Sequence, residues 1–259
     1  MYFIQEIMSV ISKSFVMTMF LRLCIYRLYM LFGGLMIHFI LPYNVMKYAF
    51  KFSLLGLNTI NTTEPEFEEV NNEKIETFYS EESKGLFLFN HPSFLDTFVF
   101  PSVIDKDKIR PVAYGPYFGF PLNLFSDTFN PVYVQEGSTG ISNVIKGIIL
   151  TRKQNEPMIF MAPGGSDRNE SQRIMSKFRS GAFLAKAPIL PIVIRYSQNV
   201  NRWPIILGIL KRLVYLTPVY FKIRVLDPIY PDPDESLEDF KNRVRQEMEK
   251  VPDYTDLHF

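Results

Sequence analysis

The stretch Asn90-His91-Pro92-Ser93-Phe94-Leu95-Asp96 carries the side chains of this chain best suited to moving a proton. A histidine with an aspartate five positions on can fold back into a base–orienter pair. The carboxylate accepts the proton of one ring nitrogen, which fixes the tautomer and stabilises the imidazolium. The other nitrogen is then free to take a proton from a hydroxyl. Pro92 disfavours helical backbone at His91, so a loop rather than a regular helix must set the geometry. A plainer reading stands beside this one: a loop histidine next to a helix whose first turn contains Asp96.

The elements around the stretch suit a site. Gly85–Phe89 (GLFLF) reads as a buried strand running straight into it, and in open α/β sheets functional loops sit at the carboxyl ends of strands. Further strands are expected at Pro111–Tyr114, Pro131–Val134, Pro157–Met161, Ile189–Tyr196 and Val219–Leu226. Helical patterns fill the gaps. Ser138–Arg152 places Ile141, Val144, Ile145, Ile148 and Ile149 on one face. Ser236–Lys250 opens with the capping pattern Ser236-x-x-Asp239 and carries Leu237, Phe240, Val244 and Met248 as an apolar stripe. Strands separated by helices predict an α/β fold with a mainly parallel sheet flanked by helices.

Composition narrows the class. Lys and Arg total 28 against 27 Asp and Glu, so no global charge points to nucleic acid. One cysteine, Cys24, excludes an intrachain disulfide, and three histidines make a multi-histidine metal centre improbable. No Gly-x-Ser-x-Gly elbow offers a serine nucleophile, and neither a Walker loop nor a Gly-x-Gly-x-x-Gly run is present.

The N-terminal region differs from the rest. Up to Ile60 the only acidic residue is Glu6, against Lys13, Arg22, Arg27, Lys47 and Lys51, and Leu28–Pro42 has no formal charge. This apolar segment is too long and bulky for a cleaved signal. Two arrangements are compatible with it: one spanning helix, with Arg22 and Arg27 snorkelling, or two helices dipping into one leaflet. A buried soluble hairpin is the remaining alternative. The expected division is an anchor over 1–60, an acidic connector over 61–84 and a catalytic domain over 85–259.

With these elements in place the sequence resembles the glycerolipid acyltransferases, the glycerol-3-phosphate and lysophospholipid acyltransferases, whose first motif is His-x-x-x-x-Asp, often preceded by Asn. Ile159–Ser166 is similar to that family's strand ending in Phe-Pro-Glu-Gly-Thr, and Lys177–Phe183 to its Phe-Lys-x-Gly-Ala-Phe element. Ala187–Tyr196 is similar to its proline-led buried strand. This strand, with Trp203 and Pro228-Ile229-Tyr230, most resembles the lysophosphatidylcholine acyltransferase branch.

The resemblance implies transfer of a fatty acyl chain from acyl-CoA, a co-substrate, to the free hydroxyl of a lysophospholipid, at a membrane and without a cofactor. His91 would be the base and Asp96 its orienter. Asn90, Ser93, Pro163, Gly164, Gly165, Ser166 and Arg179 would contact substrate, with bare amides of the Pro163–Ser166 turn cradling phosphate or glycerol. That turn reads equally as a strand end needing glycine for positive φ, and Arg179 as surface charge. A cytoplasmic catalytic face, at the endoplasmic reticulum in a eukaryote, completes the expectation.

Departures are informative. Gly164 stands where the family has glutamate and Ser166 where it has threonine, and Pro131–Ser138 lacks the second motif's Arg. Pro163-Gly164-Gly165 also resembles the turn of neutral acylglycerol acyltransferases. A neutral acceptor and an inactive lipid-binding relative are thus the rival readings.

Overall fold

Seven short apolar segments pair into one sheet: β1 (Thr59–Asn61), β2 (Leu86–Phe89), β3 (Ile109–Tyr114), β4 (Val132–Val134), β5 (Met158–Met161), β6 (Ile189–Tyr196) and β7 (Val219–Val225). Their spatial order is β1-β7-β6-β2-β5-β3-β4. Every neighbouring pair is parallel except β6 with β7. The computed structural model describes residues 2–40, 46–81, 84–114, 130–134, 140–163, 178–198 and 205–254.

Helices cover both faces because the central strands are apolar on both. On one face Phe87, Phe160, Leu190, Ile192 and Ile194 pack with Phe50 and Leu54 of α2 (Met46–Gly56) and Phe78 of α3 (Pro65–Ser80). Phe98, Val99 and Phe100 of α4 (Asp96–Val103) and Leu213 of α6 (Ile205–Val214) join them. On the other face Leu86, Leu88, Ile159 and Met161 meet Ile145 and Ile149 of α5 (Ile141–Thr151). Phe240, Val244 and Met248 of α7 (Leu237–Glu249) and Phe183 from a short 3-10 turn complete that layer. Alternate residues of β2 thus point to opposite cores, as the strand's period of two demands. The mainly parallel α/β sheet is the architecture the sequence predicts.

Two segments carry elements that their composition does not announce. The region 61–84 is not a mere connector: Pro65 and the early Glu66 and Glu68 suit a helix start, and α3 buries Asn71, Ile75 and Phe78. Thr59–Asn61, assigned to the anchor, is an edge strand of the main sheet along β7. Both were obscured by composition, since an acidic run looks solvated until one stripe finds a core.

The long helix α1 (Tyr2–Ile40) contains Val16–Gly34, a segment long and apolar enough to cross a membrane and only 17% buried within the protein. Its second half packs tightly on α2. A Cβ on Gly34 would lie 2.7 Å from the Ala49 carbonyl oxygen, and one on Gly56 would lie 2.7 Å from that of Arg27. Arg22 is exposed, but Arg27 does not snorkel. It is buried, and its Nη1 donates to the carbonyls of Leu213 and Tyr215 at the end of α6.

Candidate active site

The carboxyl edge of β2, β5 and β6 holds the site. β2 is the middle strand of the three, and the connections leaving β2 and β5 run toward opposite edges of the sheet, the arrangement that opens a crevice above the strand ends. The chain leaves β2 at Phe89, passes Asn90 and His91, and tightens into a turn in which the Asp96 amide donates to the Ser93 carbonyl at 3.2 Å. Asp96 is then the first residue of α4, where an acidic side chain is favoured by the helix dipole.

That turn swings Asp96 back onto the histidine. His91 Nδ1 lies 2.7 Å from Asp96 Oδ2. A carboxylate oxygen only accepts, so Nδ1 carries the proton and Nε2 keeps its lone pair for an incoming donor. The exposures divide the labour: the His91 side chain is 23% accessible and that of Asp96 1%. The pairing expected from the five-residue spacing is thus present in space, with the base facing outward and its orienter sealed.

Two further donors hold Asp96. The Ser93 amide donates to Oδ2 at 3.1 Å, and the Tyr196 hydroxyl, from the last residue of β6, donates to Oδ1 at 2.5 Å. Tyr196 is fully buried; that burial, and secondarily the Asp96 carboxylate, push its phenol well above the ordinary tyrosine range, so it stays a donor. An aromatic wall closes the other side of His91. Its ring meets Phe89 edge-on at 5.8 Å, and Phe89 stacks on Phe160 at 4.1 Å with Phe100 packed against both. Such a wall excludes water beneath the imidazole and strengthens the polar contacts there.

Tyr196 is the residue that sequence reasoning passed over. It appeared only as the end of a buried strand. A polar aromatic at the carboxyl end of an apolar run, beside the strand that feeds the motif, was the available signal.

The other expected site residues fall into three groups. Asn90 and Ser93, expected to touch substrate, are buried and engaged with the protein's own backbone. Asn90 Nδ2 donates to the Ile194 carbonyl at 2.9 Å while its Oδ1 accepts from the Ile194 amide at 2.8 Å, and Ser93 Oγ accepts from the Leu95 amide at 3.1 Å. Their work is to shape the loop. Pro163 and Arg179 lie beside the dyad's edge: Met161 pairs with Leu88, so Pro163 stands level with Asn90 on the neighbouring strand. The Arg179 amide donates to the Pro163 carbonyl at 3.0 Å, returning the chain to this edge with the Arg179 side chain exposed. Gly164, Gly165 and Ser166 lie outside the described residues. Among the described residues no group of three or more His, Cys, Asp or Glu is placed to hold a metal.

Comparison with known proteins gives the class, an acyltransferase. A model of the acyltransferase family matches residues 67–195, from α3 through nearly all of β6. Residues 67–195 thus carry a domain of that family, and the relatives that the chain resembles are glycerolipid acyltransferases. It is 29% identical over 185 residues to the lysophospholipid acyltransferase LPEAT1 of Arabidopsis thaliana, an alignment covering 64% of this chain and 44% of that protein. The chain therefore spans under half the length of that relative. The crystal structure of the 1-acyl-sn-glycerophosphate (LPA) acyltransferase PlsC from Thermotoga maritima shares the fold, with a TM-score of 0.50 and 16% identity over 88% of this chain and 92% of that one.

Proposed function

We propose that the protein is an O-acyltransferase that moves a fatty acyl chain from acyl-CoA to the free hydroxyl of a lysophospholipid such as lysophosphatidate, in phospholipid synthesis or remodelling. The observation that carries this reading is the half-open His91 held by a sealed Asp96 at 2.7 Å.

The chemistry balances without a cofactor. His91 Nε2 takes the proton of the acceptor hydroxyl as its oxygen attacks the thioester carbonyl carbon. The new C–O bond forms, the C–S bond breaks, and the imidazolium returns its proton to the departing CoA sulfur. Asp96 stays ionised throughout, orienting the ring and offsetting the charge it gains. Arg179, exposed at the same strand edge, is the cation that would meet a phosphate on the acceptor.

The apolar stretch of α1 supports attachment to a bilayer. Beside its exposed Leu28, Tyr29 and Phe32, the exposed apolar side chains Phe52 and Leu55 of α2 and Leu210 and Val214 of α6 extend the same lipid-compatible character. The surplus of basic residues near the anchor supports a cytoplasmic catalytic face.

The test offers radiolabelled acyl-CoA to the purified full-length protein with lysophosphatidate, other lysophospholipids and a neutral monoacylglycerol. Label is expected in the diacylated phospholipid. Preference for the neutral acceptor would assign the protein to the neutral branch that Pro163-Gly164-Gly165 resembles, and no transfer to any acceptor would overturn the reading.

A further inference from the structure

We infer that Tyr196 is a positioning residue of the acyl-transfer site: its hydroxyl clamps Asp96 so that the carboxylate can hold His91. The inference rests on the reading of His91 as general base. Tyr196 lies one residue beyond the stretch that the family model matches, 67–195.

The geometry leaves the carboxylate two unequal oxygens. Oδ2 serves His91 Nδ1 at 2.7 Å and the Ser93 amide at 3.1 Å. Oδ1 is turned inward, where the Tyr196 hydroxyl meets it at 2.5 Å. A buried carboxylate oxygen stripped of its donor carries the full cost of its lost solvation. Rotation about the Cβ–Cγ bond would relieve that cost by moving Oδ2 off the histidine. The hydroxyl removes the reason to rotate, and it draws charge from the carboxylate that His91 feels.

Tyr196 reaches Asp96 only if β6 keeps its register on the loop after β2. Asn90 supplies that lock. Its amide exchanges both hydrogen bonds with the backbone of Ile194, two residues before Tyr196, continuing the β2–β6 pairing past the last strand residue at Phe89. The asparagine preceding the histidine thus fixes the strand that carries the clamp. Tyr196 also packs its ring on Phe221 at 6.1 Å, which holds the phenol's direction without spending its hydroxyl.

The experiment compares full-length wild type, Tyr196→Phe, Asp96→Asn, the Tyr196→Phe/Asp96→Asn double variant and His91→Ala in single-turnover acyl transfer to lysophosphatidate, with a thermal melt of each. Loss of one hydrogen bond to a charged group predicts a fall in kcat of about 10-fold for Tyr196→Phe, with KM unchanged. In the Asp96→Asn background the same change should cost about twofold or less, because the hydroxyl acts through the carboxylate. A merely structural tyrosine would cost the same factor in both backgrounds, and that result overturns the inference, as does a Tyr196→Phe enzyme with wild-type kcat. If Tyr196→Phe does not fold, 3-fluorotyrosine at 196 decides. Its more acidic phenol lowers the basicity of Asp96 and reduces kcat by about two- to threefold, whereas an unchanged kcat overturns the inference. Full activity in His91→Ala would instead remove the reading on which the inference stands.

Discussion

Two regions of this chain bury charge, and they do it for different ends. At the carboxyl edge of β2, Asp96 is sealed, yet its chain of contacts ends on His91, a titratable ring whose side chain is partly accessible. At the junction of α1, α2 and α6, Arg27 and Arg212 are also buried, but their donors end on backbone carbonyls. Arg27 takes Leu213 and Tyr215, and Arg212 takes Leu57, Asn58 and Thr217. These oxygens lie at the ends of α2 and α6, where helix dipoles concentrate negative potential. Burial, and secondarily the neighbouring Arg27, pull the Arg212 guanidinium down to about 10, which still leaves it charged at neutral pH. Charge buried among fixed acceptors fastens helices together. Charge buried behind an accessible base is a device for chemistry.

Asp96→Asn should produce the largest effect outside His91 itself: a fall in kcat on the order of 10²-fold or more, because the amide can hold the ring in the wrong tautomer and cannot balance the imidazolium. The melting temperature should move little. A variant that lost stability and activity together would place Asp96 with the arginines as a structural charge.

Arg212→Met should show the reverse pattern. It removes the guanidinium from the Leu57, Asn58 and Thr217 carbonyls, the first two of which keep the Thr59 hydroxyl and the Val219 amide as donors, a loss of about 1.5–3 kcal/mol in unfolding free energy. Denaturation in detergent micelles reads it, while kcat per folded molecule is expected within about twofold of wild type. Unchanged stability would show that water replaces the guanidinium there.

Arg179→Ala sharpens the substrate side. A charge-assisted contact to phosphate, about 1.5–3 kcal/mol, predicts a rise in KM for lysophosphatidate of about 10-fold or more. Transfer to a neutral monoacylglycerol, where it occurs, should be unaffected. Equal losses on both acceptors would assign Arg179 to membrane docking or folding. The smallest effect belongs to the far end of the molecule. Ser236 caps α7 by accepting the Asp239 amide at 3.1 Å, so Ser236→Ala should cost about 1 kcal/mol of stability and no activity.

What the sequence made legible follows the same division. Local signals were sufficient for the strand Ile189–Tyr196, for the Ser236 cap and for the pairing of His91 with Asp96, because each depends on residues near one another in the chain. The arginine junction was not legible. Arg27 reads as a charge in an apolar helix, and its partners lie 186 and 188 residues away. The Tyr196 clamp failed to show for the same reason, spanning 100 residues between a strand end and a helix start. The lock of Asn90 on Ile194 was hidden for the same reason, since the two lie 104 residues apart. Helix α3 was missed because eight glutamates between Asn61 and Lys84 outweigh its narrow buried stripe in composition alone.

The central claim is that His91 takes the acceptor's proton. Single-turnover transfer of a labelled acyl chain from acyl-CoA to lysophosphatidate, measured for full-length wild type and His91→Ala at equal folded concentration, tests it most directly. A rate lowered by roughly 10²–10⁴-fold is expected in His91→Ala, with an unaltered melting temperature. Turnover at the wild-type rate in His91→Ala would contradict it.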